Sequence, residues 1–307
     1  MSKTPTIGFI GVGPMGHGMA ANIVKAGYPL VIKGNRNRAP VESLAALGAR
    51  EVGSAAEMAA DCDVIHLCLS NSPQVEAIIR GPGGILEGGK PGLVVIDCTT
   101  ADPTSTLALA ADLEAAGMHM VDAPLGRTPK EAEAGQLDAM IGAAPEIFAR
   151  VKPIIDCWAG NINHIGPVGA GHKMKLIMNF IGMGYAALYG EAVVMAAKSG
   201  LSPQAVRQVI GSSRLSNGFF ETFMKYTVDR DPNAHIFSIE NAAKDVGYAA
   251  NMAAAADVVN IMGASLKHYY THAIATGHGT DYVPMLGDII GALNGVDMAA
   301  EVEKGQS

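Results

Sequence analysis

Short apolar runs and longer amphipathic stretches alternate through the first half of the chain. The runs are rich in β-branched residues, as buried strands are, and the stretches between them carry apolar residues at helical spacing. This alternation predicts a mainly parallel, doubly wound sheet with helices on both faces. The predicted strands are Thr6–Ile10, Leu30–Ile32, Val64–Leu69, Leu93–Asp97, Met118–Val121 and Ala139–Gly142, and the helices between them include Gly16–Lys25, Pro40–Leu47, Ser72–Arg80 and Pro103–Ala116.

The pattern changes after Gly166, where long segments rich in Ala, Met and Leu replace the strands. The first segment, 170–199, would form a helix roughly 45 Å long, which suits the spine of a second domain. Ser202 and Pro203 are typical of a helix start. We therefore expect an α/β dinucleotide-binding domain over 1–166 and an all-helical domain over 167–307. Its further helices are predicted over Gly218–Tyr226, Ile239–Ala256, Val258–Ala275 and Asp281–Leu293, followed by a polar tail after Met298.

Composition narrows the class of protein. The 307 residues are 49% hydrophobic and 17% charged, and the net charge is −7. Two domains of ordinary size can bury a sufficient core without disulfides or metals. A net negative chain lacks the basic face that a general nucleic-acid partner requires. Any anionic ligand must therefore be held by a few locally placed cations.

Cysteine usage and the N-terminus predict a cytoplasmic protein with no membrane segment. No two cysteines have the CxxC spacing, and small core residues in a reducing compartment are the expected role. No signal peptide precedes the first predicted strand. Apolar stretches such as 176–189 fall short of the ~20 residues of a membrane span. The four cysteines are Cys62, Cys68, Cys98 and Cys157.

A glycine-rich loop follows the first predicted strand and opens the first helix. Its sequence, Gly11-Val12-Gly13-Pro14-Met15-Gly16, fits the GxGxxG pattern of dinucleotide-binding proteins. Glycines allow the tight turn and let the backbone approach a pyrophosphate at the helix N-terminus. Because 37 glycines produce chance matches, the position after a strand carries the argument. The loop predicts a nicotinamide dinucleotide, with Gly11, Gly13, Pro14, Met15 and Gly16 as contacts.

The end of the second predicted strand bears on the choice between NAD and NADP. NAD enzymes usually place an acid there for the adenosine ribose. This chain has Asn35-Arg36-Asn37-Arg38 instead, with no acid before Glu42. A guanidinium pairs with a 2′-phosphate through two hydrogen bonds. We therefore expect NADP(H), with NAD(H) as the alternative, and Arg36 as the first candidate anchor before Arg38.

Three further motifs add to the glycine-rich loop and together with it resemble the pattern of a known enzyme family. Asp122-Ala123-Pro124-Leu125-Gly126-Arg127-Thr128 follows the fifth predicted strand, Gly169-Ala170-Gly171 precedes Lys175 and Asn179, and Lys244-Asp245 lies in a later helix. With the glycine-rich loop, this set closely resembles the β-hydroxyacid dehydrogenase family. That family includes 3-hydroxyisobutyrate dehydrogenase, tartronate semialdehyde reductase and sulfolactaldehyde reductase. The resemblance covers essentially the whole chain, with four motifs in the family's order.

The resemblance implies a Rossmann domain, a long interdomain helix and a helical domain, assembled as a homodimer or homotetramer. It implies that Lys175 is catalytic with support from Asn179, and that the substrate is a small anionic hydroxy or oxo acid. It implies cofactor contacts from Leu69, Ser70, Asn71, Thr100 and Lys244, and substrate contacts from Thr99, Leu125, Gly126, Arg127 and Thr128. It implies no metal, and we take His268 and His272 as surface residues.

Elementary chemistry agrees with the role of the lysine. Lys175 and Asn179 are four residues apart and share one helix face. Reduction of a carbonyl develops negative charge on oxygen, which an ammonium stabilises and protonates. Oxidation of the alcohol requires the neutral amine, which burial favours. Lys175 is therefore the expected general acid and base.

Departures from the family pattern concern the substrate. Gly126-Arg127-Thr128 stands where most of the family has Ser-Gly-Gly, and the same replacement occurs in proteins resembling sulfolactaldehyde reductase. An arginine suits a carboxylate, sulfonate or phosphate, although a structural pairing of Arg127 with Glu131 or with another subunit is the alternative. Met178 replaces a second asparagine beside Asn179, and Ser70 replaces a proline.

Two other functions remain open at this stage. A non-catalytic NADP-binding protein of this fold would lack the proton donor, and Lys175 is present. Imine reductases resemble this architecture but usually replace the lysine, so Lys175 and Asn179 argue against that activity.

Overall fold

The computed structural model describes residues 4–305. They form two compact units that divide between Lys175 and Leu176. The first unit is a sheet covered by helices, and the second is entirely helical. The predicted fold class is therefore confirmed.

Nine strands form one sheet in the first unit. Their order is β3-β2-β1-β4-β5-β6-β8-β7, and β9 pairs with β8. The pairs up to β6 are parallel, whereas β8 runs antiparallel to both β6 and β7. The strands are β1 (Ile7–Ile10), β2 (Leu30–Lys33), β3 (Arg50–Glu51), β4 (Val64–Leu67), β5 (Val94–Asp97), β6 (His119–Asp122), β7 (Leu125–Gly126), β8 (Leu137–Gly142) and β9 (Ala159–Gly166).

Strand order reverses direction between β1 and β4, which are hydrogen-bonded neighbours. In open parallel sheets such a switch point leaves a crevice at the carboxyl ends of the two strands, where ligands bind. The loop after β1 is the glycine-rich loop, and the loop after β4 contains Leu69, Ser70 and Asn71. Topology thus brings two of the predicted cofactor loops to one crevice.

Helices cover the sheet and are fixed at their starts by short polar side chains. Ser54, Asn71 and Asp102 accept hydrogen bonds from the first turns of α3, α4 and α6. Such caps satisfy backbone N–H groups that have no partner inside the helix. The helices of this unit are α1 (Pro14–Lys25), α2 (Ala39–Ala46), α3 (Ala55–Asp61), α4 (Ser72–Arg80), α5 (Ile85–Gly88), α6 (Pro103–Ala115), α7 (Pro129–Glu133) and α8 (Pro145–Ile155).

The sheet is buried on both faces, which explains its continuous apolar strands. One apolar layer includes Phe9 and Trp158, and the other includes Met58. His66 of β4 lies in the core, stacked on Phe9 with ring centroids 5.4 Å apart. Burial lowers the pKa of this histidine to about 3, so it is neutral at physiological pH. His66 therefore behaves as a core aromatic residue.

The second unit begins inside the long helix α9 (Ala170–Lys198). Its core includes Phe220, Phe223, Tyr270 and Leu286. Ser202 caps α10, which begins at Pro203 as the sequence predicts. The other helices are α10 (Pro203–Gly211), α11 (Gly218–Asp229), α12 (Ile239–Ala255), α13 (Ile261–Ala275), α14 (Leu286–Leu293) and α15 (Met298–Lys304), with a 3-10 turn at Val283–Met285.

The long helix also meets the length and composition of a membrane span. Its most apolar 18-residue window has a mean hydropathy of 1.4, and 39% of that window is buried. The expectation that this stretch is too short is therefore wrong on length and composition. Ala186, Val193 and Val194 nevertheless pack in the core of the helical unit, as a core helix of a globular protein does.

The sequence prediction missed several elements, and three of them have clear physical reasons. Strand β9 was missed because most of its residues are exposed and polar, without a buried apolar run. The polar tail after Met298 is the helix α15, which Asp297 caps and which buries Met298 and Val302. Helix α7 was missed because five residues are too few to show a helical period.

Candidate functional site

Two of the three glycines in the glycine-rich loop are required by the close approach of neighbouring backbone atoms. Gly11 has φ 97°, and a Cβ there would lie 2.2 Å from the carbonyl oxygen of Cys68. A Cβ on Gly16 would lie 2.1 Å from the carbonyl oxygen of Gly11. These two positions let the loop turn tightly and let α1 pack on the strand that precedes it. A Cβ on Gly13 would meet nothing within 4 Å.

The N-terminus of α1 fits a phosphate group. Gly13 is its N-cap, no side chain caps it, and no acidic residue lies in its first turn. Pro14 at the first position and Met15 beside it complete the loop. The positive end of the helix and its backbone N–H groups therefore face the open space at Gly13, which is the arrangement that binds a pyrophosphate.

The loop after β4 is held by the strand ends beside it. The backbone N–H of Leu69 donates to the hydroxyl of Thr99 at 3.0 Å, and that of Ser70 donates to Gln74 at 3.1 Å. The side chain of Asn71 caps α4. Thr99 is only 1% exposed, and its hydroxyl accepts the hydrogen bond that holds this loop. The predicted contact of Thr99 with substrate stays a prediction. Thr100 is half-buried beside it.

The two arginines of the loop after β2 differ in their hydrogen-bond partners. Arg38 donates to both carboxylate oxygens of Glu51 at 2.7 Å, and this pairing raises the pKa of Arg38 and lowers that of Glu51. Arg36 is exposed and makes no hydrogen bond or ion pair with the residues from 4 to 305. Asn37 accepts from the backbone of Ala39, and Asn35 is exposed. Arg36 is thus the guanidinium available to a ligand.

The helix that carries Lys175 is anchored to the sheet by Asp122. This residue ends β6 and is fully buried. Its carboxylate accepts the backbone N–H of Gly169 at 2.6 Å and that of His172 at 2.7 Å. A negative charge at a helix N-terminus stabilises it, and hydrogen bonds to a charged group are the stronger kind. Asp122 therefore fixes the first turn of α9 against the carboxyl end of β6.

Small residues leave room for that carboxylate. A Cβ on Gly142 would lie 2.2 Å from Asp122, and one on Gly171 would lie 2.9 Å from it. Lys175 follows His172 by three residues on the same helix and is half-buried. The buried carboxylate of Asp122 thus fixes the start of the helix that carries Lys175. This helix start lies at the edge of the sheet where the cofactor loops lie.

Asn179 belongs to the second unit and is oriented by Asp245 of α12. The amide nitrogen of Asn179 donates to this carboxylate at 2.6 Å, and the ammonium of Lys244 lies 3.0 Å from its other oxygen. Asp245 is 1% exposed, and Lys244 also lies over the ring of Tyr248. With its nitrogen engaged, Asn179 presents its carbonyl oxygen as an acceptor.

Asp245 is a functional candidate that the sequence prediction missed as an individual residue. It lies on the buried face of α12 with Ala242, Val246 and Ala249. A carboxylate on an otherwise apolar helix face needs a partner, because an unpaired buried charge is costly. An acidic residue on the apolar face of a predicted helix was the sequence signal that could have identified Asp245.

The loop from Leu125 to Thr128 carries the unusual arginine. Arg127 has φ 77°, a conformation that favours glycine, and its Nε lies 3.1 Å from Asp138 of β8. Thr128 and Glu131 instead form a capping box that starts α7, so the considered pairing of Arg127 with Glu131 is not formed. Leu125 is buried and Gly126 half-buried. Arg127 remains about half exposed.

Helix α7 ties this loop to the first helix. A Cβ on Gly18 would lie 2.6 Å from the backbone of Ala132, so the two helices approach closely only because position 18 is glycine. The amide of Asn22 donates to the carbonyl of Ala132, and His17 lies 2.7 Å from Glu133. The candidate substrate loop is therefore fixed to the helix that begins at the candidate pyrophosphate site.

Metal chemistry finds no support in the described part of the chain. Within residues 4–305, no three His, Cys, Asp or Glu side chains lie close enough together to hold a metal ion. All four cysteines are free thiols, and burial raises the pKa of Cys62 and Cys68 to about 12.

Comparison with known proteins now adds an independent finding. Residues 6–166 match the family described as the NAD binding domain of 6-phosphogluconate dehydrogenase. Residues 169–287 match the family described as NAD-binding of NADP-dependent 3-hydroxyisobutyrate dehydrogenase. The two matches together cover both units.

Individual relatives and solved structures agree with these two family matches. The chain is 33% identical to 2-(hydroxymethyl)glutarate dehydrogenase of Eubacterium barkeri, covering 92% of this chain and 93% of that one. It is 32% identical to 3-sulfolactaldehyde reductase of Escherichia coli, covering 89% and 91%. A structure of Mycobacterium tuberculosis 3-hydroxyisobutyrate dehydrogenase with L-serine superposes with a TM-score of 0.83 at 28% identity, covering 94% of this chain and 99% of that chain.

An imine reductase from Pseudomonas sp. shares the fold alone, at 18% identity and a TM-score of 0.57, covering 92% of this chain and 98% of that chain. The dehydrogenase and reductase relatives span almost the whole chain at higher identity. The chain belongs to the β-hydroxyacid dehydrogenase family and is a nicotinamide-dependent oxidoreductase that acts on hydroxy acids.

Proposed function

We propose that the enzyme uses NADP(H) to reduce a small anionic semialdehyde, or to oxidise the corresponding 3-hydroxy acid. The anchoring of α9 by Asp122 carries this proposal. It holds the turn bearing Lys175 at the sheet edge where the loops after β1 and β4 lie. The names of the relatives denote small organic acids, which supports the substrate class.

The roles of the chain's residues follow from their chemistry. When bound, the nicotinamide supplies or accepts the hydride. Lys175 protonates the oxygen formed on reduction and accepts the proton on oxidation, which typically contributes ~10²–10⁴-fold in rate. Asn179, whose nitrogen is engaged by Asp245, offers its carbonyl oxygen to a hydroxyl or ammonium hydrogen. The N-terminus of α1 holds the pyrophosphate through its uncapped N–H groups.

Arg127 is the proposed anchor of the substrate anion. A non-glycine residue at φ 77° costs roughly 1–2 kcal/mol, so an arginine there suggests a selected role. Its guanidinium pairs with Asp138. A carboxylate or sulfonate would replace Asp138 as its partner. The planar, fork-shaped donor set of arginine suits both anions, so a sulfonate semialdehyde is the second candidate substrate.

A rate comparison over a panel of aldehydes tests the substrate class. We expect NADPH-dependent reduction of at least one among succinic, methylmalonic and tartronic semialdehydes, glyoxylate and sulfolactaldehyde. Arg127→Ser should lower kcat/KM for that substrate by about 10–10²-fold, because charge-assisted hydrogen bonds contribute about 1.5–3 kcal/mol. The measurement is the initial rate of NADPH oxidation.

Two matched variants sharpen this test. Arg127→Lys should lie between wild type and Arg127→Ser, since lysine provides a charge without the fork. Asp138→Asn should lower KM for the aldehyde substrate, because it removes the carboxylate that competes with the substrate anion for Arg127. Equal rates for wild type and Arg127→Ser would show that the arginine only holds its loop. A cyclic imine included in the panel tests the imine reductase alternative, against which Lys175 and Asn179 argue.

The preference for NADP rests on Arg36. It is exposed and has no partner among residues 4–305, whereas Arg38 is occupied by Glu51. Asp or Glu does not occur between Lys33 and Ala39. The loop itself therefore offers the Arg36 cation and no acidic residue, and the neighbouring carboxylate of Glu51 is paired with Arg38.

Arg36→Ser should raise KM for NADPH by about 10–10²-fold and change KM for NADH little, because NADH has no 2′-phosphate. Arg38→Ser is the matched control, with a smaller expected effect because its charge is already paired. Initial rates at varied NADPH and NADH give both constants. An equal loss for both cofactors would show that Arg36 does not contact the 2′-phosphate.

We further propose self-association through α9, as a homodimer or homotetramer. Five of the six exposed large apolar residues of this helix lie at spacings of three, four, three and seven residues. This is the period of a helix seam that packs against another helix. The residues are Met178, Ile181, Tyr185, Leu188 and Met195.

A further inference from the structure

A buried cluster of polar groups lies beneath the turn that carries Lys175. His172 is fully buried, and its Nδ1 lies 2.7 Å from the hydroxyl of Thr106. Its Nε2 lies 4.0 Å from Oδ2 of Asp97, which is 1% exposed. Neither of these two atoms has a hydrogen-bond partner within residues 4–305. Two facing, unpartnered polar atoms in a core require an explanation, because such groups are normally satisfied.

The hydrogen bonds around the cluster favour one tautomer of the histidine. The single hydroxyl hydrogen of Thr106 is donated to the carbonyl of Asp102 at 3.1 Å. The oxygen of Thr106 must then accept the hydrogen on Nδ1 of His172. A neutral His172 of this tautomer presents the lone pair of Nε2 to Oδ2 of Asp97. Two lone pairs facing each other would repel, so a hydrogen belongs between them.

We propose that Asp97 and His172 hold one proton between them as a neutral acid facing a neutral imidazole, and that this pair positions the turn bearing Lys175. The proton lies on Oδ2 of Asp97 and points to Nε2 of His172. A neutral pair avoids two charges in a fully buried site, where the desolvation cost of ions is high. The inference rests on the proposed reaction only for the role of Lys175.

The surroundings of Asp97 favour the protonated acid. Burial raises the pKa of this carboxyl, and the nearby Asp122 raises it further, against the lowering effects of His172 and of the hydrogen bonds from Thr99. The other titratable groups beside it are the thiols of Cys68 and Cys98, whose pKa values burial raises as well. The groups of residues 4–305 that act most strongly on the Asp97 carboxyl include no lysine or arginine.

The cluster connects the cofactor loop with the helix of the lysine. Oδ1 of Asp97 accepts the backbone N–H of Thr99 at 2.9 Å, and the hydroxyl of Thr99 accepts the N–H of Leu69. His172 lies in the same helical turn that Asp122 anchors. Asp97 and His172 are therefore positioning residues, since they touch the loop and the helix without being placed against substrate.

The protonation state can be measured without any activity. In the full-length enzyme labelled with ¹³C at the aspartate carboxyl carbon, the signal of Asp97 is identified by its loss in Asp97→Asn. We expect the chemical shift of a protonated acid at neutral pH. The shift of a carboxylate at neutral pH would overturn the proposal. This result is independent of whether the proposed substrates are correct.

The same proton makes the stability of the enzyme depend on pH. A folded-state pKa above the unfolded value means that stability from this group is present at low pH and is lost as pH rises. Asp97→Asn carries a permanent amide donor in place of the acid. Its melting temperature should therefore equal that of wild type at acidic pH and exceed it at mildly alkaline pH. A lower melting temperature at alkaline pH would contradict a neutral acid.

The positioning role is tested by a matched pair at Thr106. Thr106→Val removes the hydroxyl at nearly constant shape and leaves Nδ1–H of His172 without its acceptor, whereas Thr106→Ser keeps the acceptor. For Thr106→Val we expect kcat to fall by about 10–10²-fold, as small misplacements of catalytic groups do, with little change in KM for NADPH. Thr106→Ser should stay close to wild type, and so should Asp97→Asn. Equal kcat for the Val and Ser variants, or a large loss in Asp97→Asn, would overturn the role.

Discussion

Lys175→Met is expected to lower kcat by about 10²–10⁴-fold, the contribution of a positioned acid and base. Cofactor affinity should change little, because the proposed cofactor contacts of the first unit lie in other loops. Methionine keeps an unbranched side chain of similar size and removes the ammonium group with its charge and protons. The measurements are kcat for the best aldehyde of the panel and the dissociation constant of NADPH from fluorescence titration.

Lys173→Met provides the matched control for this prediction. Lys173 lies two residues earlier on α9 and is exposed. The two lysines therefore share helix, charge and residue type, and they differ in direction and burial. Loss of turnover in both variants would indicate damage to the helix, and retention in both would remove Lys175 from the mechanism.

The sequence predicted the Rossmann half well because its signals are local. Strand β1 and the glycine-rich loop follow from a short apolar run and from glycines at fixed spacing, and the steric needs of Gly11 and Gly16 confirm the reason for that spacing. The N-caps of α4 and α10 can also be predicted from the local sequence, because a capping residue directly precedes its helix.

Contacts between distant residues could not be read in the same way. Asp122 was recognised as part of a motif, yet its role at the N-terminus of α9 depends on a strand that ends near a helix about fifty residues later. The pairing of Arg127 with Asp138 depends on the antiparallel register of β7 and β8. Periodicity reports which face of an element is buried, and it says nothing about which buried polar groups meet.

The orientation of Asn179 illustrates the same limit within the helical unit. Family resemblance pointed to Asn179 and to Lys244, but Asp245 links them, and it does so across two helices. Within each unit, the candidate site residues therefore depend on buried carboxylates that orient polar groups. Asp97, Asp122 and Asp245 are each 1% exposed or less.

Asp122→Asn is expected to destabilise the first unit by roughly 3 kcal/mol. Both carboxylate oxygens accept helix N–H groups in a fully buried position. An asparagine keeps one acceptor and turns a donor towards the other N–H, which leaves buried donors unsatisfied at about 1–3 kcal/mol each. The lost charge adds to this cost, because it stabilises the positive end of the helix. Gly142 and Gly171 leave no room for a rearranged side chain.

The single tryptophan makes the measurement specific to this unit. Trp158 is fully buried in the core of the first unit, so its fluorescence reports unfolding there in a urea titration. Asp156→Asn is the matched control, because Asp156 forms only an exposed pair with Lys152 that should contribute about 0.5 kcal/mol or less. If both variants shift the unfolding midpoint equally, the capping carboxylate does not stabilise the helix start. If Asp122→Asn alone is destabilised, its kcat should fall as well, because the turn that carries Lys175 begins at the anchor that was removed.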